Sequence, residues 1–129
     1  MSVAQLEPDI LALALDLAKA NPRAMVGVFE SATGTYLYVS PNHTQITGYH
    51  PHELVGQTLG HVVHPDDLEH TRLAFMDAVL HGQSIEVGVR LVHKDGHHLR
   101  VRATANHVVS GSGQDLMLGQ AVPVGQDTH

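Results

Sequence analysis

Histidine offers this chain most of its chemistry: twelve of 129 residues are histidine, and none is cysteine. Imidazole ligates borderline transition metals and titrates near neutrality. Spacing decides whether either use is specified. His61 and His64 stand three apart, with His50, His52 and Asp66 near in sequence. His97 and His98 are adjacent on a hairpin, where neighbours point to opposite faces and cannot chelate together. No second matched pair is present, so no metal site is assigned. His70 stands alone in a long helical stretch. Ser31, Ser110 and Ser112 lie in loops and Ser40 at a turn, none within a Gly-x-Ser-x-Gly elbow. No phosphate-binding glycine pattern opens a helix. Without cysteine there is no disulfide, thiolate site or thiol nucleophile. The residues assign no catalytic group, and an enzyme is not expected.

The elements that must position these groups are punctuated by Gly and Pro. Tyr36–Ser40 reads as a short strand running into Ser40-Pro41-Asn42, a helix cap and turn. Ile46-Thr47-Gly48-Tyr49 stops a short helix; His50-Pro51-His52-Glu53-Leu54-Val55-Gly56 starts and stops another. His64-Pro65-Asp66-Asp67 opens a long helix over 66–80, closed by His81-Gly82. Before them, residues 5–20 read as a helix and 24–30 as a strand. After them, Ser84–His93, His98–Val108 and Asp115–Val122 read as strands, with Lys94-Asp95-Gly96 as a tight turn. Ile85, Val87, Val89 and Leu91 share one strand face; Leu99, Val101, Ala103 and Ala105 share another.

Composition bounds the partners. The formal net charge is −6 with the histidines neutral, which disfavours nucleic acid and anionic membranes. No apolar run approaches the roughly 18 residues of a membrane span, and no basic start marks a signal peptide, so a cytoplasmic protein is expected. The length suits one domain.

Tyr38-Val39-Ser40-Pro41-Asn42, Ile46-Thr47-Gly48-Tyr49, Glu53-Leu54-Val55-Gly56 and His64-Pro65-Asp66-Asp67, in this order before three strands, resemble the PAS domain family of bacterial sensory modules. The resemblance covers about residues 24–122. It implies an α+β fold: a five-stranded antiparallel sheet flanked by short helices, here with an added N-terminal helix. The chain then divides into a helix at 1–22, the PAS domain at 23–124 and a tail at 125–129.

The function implied is a sensory or signalling module acting by protein–protein association, as a homodimer or with an effector such as a histidine kinase. A ligand would lie between sheet and helices. Its candidate lining is Val28, Tyr38, Ile46, Leu54, Leu59, Phe75, Val87, Val89, Val101 and Ala103. Two Phe, three Tyr and no Trp leave room for a modest cavity. The ligand is unnamed. Cysteine-dependent flavin photochemistry is excluded. One alternative is a haem-based gas or redox sensor with His70 as axial ligand, although the helical wheel sets His70 opposite Leu68, Phe75 and Val79. Another is a small metabolite carrier or enzyme on the same fold.

Two adjacent apolar stripes run along the first helix: Leu6, Ile10, Leu13 and Leu17, beside Leu11, Leu15 and Ala18. One stripe suffices to pack a helix on its own domain. A dimer interface is therefore expected on Leu6, Ile10, Leu13 and Leu17. Pro123 and Gly125 end the last strand without an effector helix, so output is expected through a separate protein or through a longer chain of which this is a piece.

Overall fold

A computed structural model describes residues 6–124; the expected tail at 125–129 and the first residues of the expected N-terminal helix segment lie outside them. The order is α1 (Pro8–Ala20), β1 (Met25–Glu30), β2 (Tyr36–Val39), α2 (His43–Thr47), α3 (Pro51–Leu54), a 3-10 turn (Leu59–His61), α4 (Pro65–His81), β3 (Ile85–Val92), β4 (His98–Val109) and β5 (Asp115–Pro123). The strands form one antiparallel sheet ordered β2-β1-β5-β4-β3. Strand β1 therefore lies inside the sheet, between the strand that follows it and the last strand of the chain. This is the α+β architecture expected, with five strands.

Local chemistry explains the breaks. Glu53 Oε1 accepts from the backbone N–H of His50 at 2.8 Å, which fixes the start of α3. His64 Nδ1 accepts from Asp66 N–H at 3.0 Å and caps α4, with Pro65 in its first turn. Ser40 does not cap α2 as the sequence suggests. The N-cap is Asn42, and Ser40 Oγ instead accepts from Val26 N–H at 2.9 Å. Asn42 Nδ2 donates to Ala24 O at 2.7 Å and Pro22 O at 3.2 Å. The turn after β2 is thus stitched to the start of β1.

The sheet has two apolar faces. On the inner face, Met25, Phe29, Tyr36, Val39, Leu54, Val62, Val63, Ala78, Val89, Leu91, Val101, Ala105 and Met117 form the main core with α2, α3 and α4. On the outer face, Val26, Val28, Leu37, Leu116 and Leu118 pack against Ile10 and Ala14 of α1. Glu7 and Asp9 anchor the head of this helix to the β4–β5 loop. Glu7 Oε2 accepts from Ser110 Oγ at 3.0 Å and from Ser112 Oγ, and Asp9 Oδ2 accepts from Gly111 N–H at 3.1 Å.

This corrects the expected dimer surface. Ile10 is 2 % exposed, and Leu6 and Leu17 pack on the same outer core. The reason is that the outer faces of β1 and β5 are apolar and are covered by the chain's own helix, whose Ala14 permits close approach. Of the expected set only Leu13 is left exposed, at 49 %; Leu15, at the opposite edge of the buried stripe, is exposed at 43 %. Among the described residues no helix is long and apolar enough to cross a membrane.

Candidate functional site

Between the inner sheet face and the helices lies a cavity of about 70 Å³. Met25, Gly27 and Phe29 of β1 and Tyr36 of β2 line it from one side. Val87, Val89, Val101 and Ala103 line it from β3 and β4, with Leu54, Leu59, Thr71 and Phe75 across from the sheet. Gly27 and Gly119 are cross-strand partners, and the Phe29 ring lies over both. A Cβ on Gly27 would stand 3.2 Å from the Phe29 ring, so the absence of side chains here makes room for it. Phe29 is tilted against Tyr36 at 4.6 Å between centroids and meets Phe75 edge-on at 5.7 Å.

The wall carries no Asp, Glu, Lys or Arg. Two of its hydroxyls are engaged locally: Thr47 Oγ1 donates to His43 O at 2.8 Å and Thr71 Oγ1 to Asp67 O at 2.7 Å; Tyr36, Thr104 and Gln120 add further polar atoms. His43 is the histidine on this wall. Its Nδ1 lies 2.9 Å from the Ser40 carbonyl, to which it donates. Burial pushes the imidazole down to about 4, against a smaller opposing pull from that carbonyl, so the ring is neutral at pH 7. Burial likewise pushes the Tyr36 phenol well above its usual range. The wall is thus uncharged and mostly apolar.

Seven expected lining residues stand on this wall: Leu54, Leu59, Phe75, Val87, Val89, Val101 and Ala103. Ile46 packs against the same core behind it. Val28 and Tyr38 do not face it; both belong to the outer core under α1. Both alternating sets of β1 are apolar, so hydrophobic pattern could not choose the inward one. Met25 and Phe29 of β1 were missed for the same reason, and Tyr36 because β2 is apolar on both faces too; His43, on α2, carried no such pattern. The glycine alternating with Met25 and Phe29 was the available signal, because a bulky ring packs over it.

A family model described as the PAS fold matches residues 36–120. The chain belongs to the PAS fold family. Its helix α1 and strand β1 precede the matched span. No curated protein is detectably similar in sequence. Among solved structures, the PAS domain of a protein from Colwellia psychrerythraea is 20% identical with a TM-score of 0.74, over 90% of this chain and 98% of that one. A sensory box histidine kinase/response regulator from Burkholderia thailandensis is 24% identical with a TM-score of 0.64, over 85% and 83%. The N-terminal domain of a diguanylate cyclase with PAS/PAC sensor from Marinobacter aquaeolei is 20% identical with a TM-score of 0.66, over 78% and 94%. These likenesses show that this PAS domain shares their fold.

The haem alternative does not fit this PAS domain. His70 is exposed, with Nε2 at 3.3 Å from the Gly88 carbonyl oxygen, and it is not on the cavity wall. Its place on α4 follows the wheel: Leu68, Phe75 and Val79 turn toward the core and His70 away.

Some of the other described histidines lie in pairs. His50 stacks on His52 at 5.6 Å, and His64 meets His98 edge-on at 4.5 Å. His61 packs beside Tyr49 at 5.4 Å rather than joining His64. The expected neighbourhood of His61, His64, His50, His52 and Asp66 does not form a ligand set.

Proposed function

We propose that this PAS domain senses a small, uncharged apolar ligand in its inner cavity and transmits occupancy through β1 to protein–protein contacts on α1. The partner is a second copy of the chain, with a separate effector of the histidine-kinase kind downstream. The observation carrying this reading is the double duty of β1. Met25, Gly27 and Phe29 line the cavity, while the alternating Val26 and Val28 seat Ile10 and Ala14 of α1. A ligand that shifts the Phe29 ring moves the strand on which α1 rests, because a packed core transmits displacement. Leu13 and Leu15, exposed at the two edges of the α1 stripe that packs on the sheet, offer contacts on either flank of the helix. Catalysis forms no part of the proposal, since the wall presents no charged acid or base.

Native mass spectrometry with an absorbance spectrum of the same sample tests it. A dimer that becomes monomeric in Leu13→Lys/Leu15→Lys, carrying a small added mass and no visible band, is expected. A wild-type monomer at tens of micromolar (about the scale of weak interfaces) would remove the homodimer. A strong visible band would overturn the colourless small ligand.

A further inference from the structure

We propose that the β3–β4 turn binds one divalent transition-metal ion, of the borderline class of zinc, nickel and copper, through His93, Asp95 and His97. These three side chains lie within five residues of chain, and their ligand atoms all fall within 4.8 Å of one another. Asp95 Oδ1 is 3.2 Å from His93 Nδ1 and 2.5 Å from His97 Nδ1. The two imidazoles lie face to face, 4.4 Å between centroids and 19° from parallel. Metal bonds of about 2.0–2.1 Å in a tetrahedral site separate ligand atoms by roughly 3.3 Å. Stacked rings do not aim their nitrogens at one point, so both imidazoles swing out of the stack about their side-chain torsions to converge on an ion.

The backbone is already fixed. His93 N–H donates to His97 O at 2.7 Å, and Gly96 N–H donates to His93 O at 2.8 Å. Lys94 N–H donates to Thr47 O at 2.8 Å, and Lys94 Nζ pairs with Glu53 at 2.6 Å, so the turn is tied to α2 and α3. The hydrogen bonds also prepare the ligands. Asp95 N–H donates to His93 Nδ1 at 3.0 Å, so that nitrogen carries a lone pair and the ring proton sits on Nε2. As the His93 ring turns, its Nδ1 exchanges this amide for the ion. On the other ring Nδ1–H donates to the Asp95 carboxylate, and binding at Nδ1 shifts that proton to Nε2, leaving a neutral ring. Two imidazoles and one carboxylate favour borderline transition ions over calcium or magnesium, which prefer all-oxygen sets. The fourth position falls to water.

Among the described residues no other trio of such side chains meets at this distance. His97 Nδ1 and Asp95 Oδ1 lie closer than ligands of one ion, so they separate slightly on binding. The inference is independent of the sensory reading.

The test is calorimetric titration of tag-free, chelator-stripped full chain with zinc chloride at about pH 7.5, where free imidazole is neutral. One equivalent is expected to bind the wild type and a His61→Ala/His64→Ala control. His97→Ala and Asp95→Asn are expected to weaken binding by at least about tenfold. Broadening by copper(II) of wild-type amide signals, centred on residues 92–98 and reaching Thr47 and Gly48 packed beside them, gives a second readout that needs no variant. No saturable zinc binding, affinity unchanged in His97→Ala, or broadening centred elsewhere would each overturn the site.

Discussion

Asp67 at the head of α4 grips Arg90 of β3 by both carboxylate oxygens. Oδ2 accepts from the Arg90 backbone N–H at 2.7 Å and from Nε at 3.0 Å, and Oδ1 accepts from Nη2 at 2.8 Å. The pair joins the helix that roofs the cavity to the edge strand that walls it. Arg90 is 36 % exposed at its side chain and Asp67 11 %, so the pair is worth less than a fully buried one. Asp67→Ala is expected to destabilise by roughly 1–3 kcal/mol in urea unfolding. In a double-mutant cycle with Arg90→Ala the two losses should be strongly non-additive. Additive losses would mean that the contact contributes little.

The same contact sets an acid limb. The Arg90 guanidinium holds the Asp67 carboxyl well below the usual carboxylate range, opposed by partial desolvation. Because the folded value is depressed, its stabilisation is complete above the unfolded value of about 3.9 and is lost as pH falls below it. Asp67→Ala should therefore show a shallower loss of stability between about pH 4 and pH 2 than wild type. An unchanged acid limb would assign the loss to other carboxylates.

His43 acts in a higher window. Burial pushes its imidazole down to about 4 when folded, against about 6.5 for a free histidine. The unfolded chain binds the extra proton first, so stability rises with pH across this interval and levels off above it. His43→Gln should flatten the stability curve between about pH 4 and pH 6.5, leaving the slope below it in place. Retention of the full slope would place the pH dependence on the surface histidines.

Ala103 tests the cavity by filling it. An isobutyl group at this wall position enters the 70 Å³ space. Ala103→Leu should change stability by less than about 1.5 kcal/mol, because the added volume has somewhere to go. It should also abolish any small added mass seen by native mass spectrometry. Leu54→Ala, at a residue that is 0 % exposed, should cost about 2–5 kcal/mol. A ligand retained in Ala103→Leu would place it outside the cavity.

Gly48 and Gly82 make a matched comparison. Gly48 has φ of 82°, and a Cβ there would meet His93 Cε1 at 2.6 Å. Gly82, the C-cap of α4, has φ of 61° with nothing within 4 Å of that Cβ. Ala at position 48 should cost roughly 1–3 kcal/mol, and clearly more than Ala at 82. Equal thermal shifts would mean that His93 swings away freely.

Local chemistry by itself determined the punctuation of this protein. Pro65 with His64 starts α4, Gly48 and Gly82 end helices, and alternation in β3 and β4 names their inner residues, all from neighbours a few positions apart. Tertiary structure decided what depends on distant partners. The inward face of β1 was silent in the pattern because Val26 and Val28 are as apolar as Met25 and Phe29. Its place between β2 and β5, covered on both sides, made Phe29 a cavity residue and Val28 a seat for α1. The same packing consumed Leu6, Ile10 and Leu17 and left Leu13 outside. Asp67 and Arg90 lie 23 residues apart, and only the approach of α4 to the edge strand gave that aspartate a partner beyond its own helix dipole.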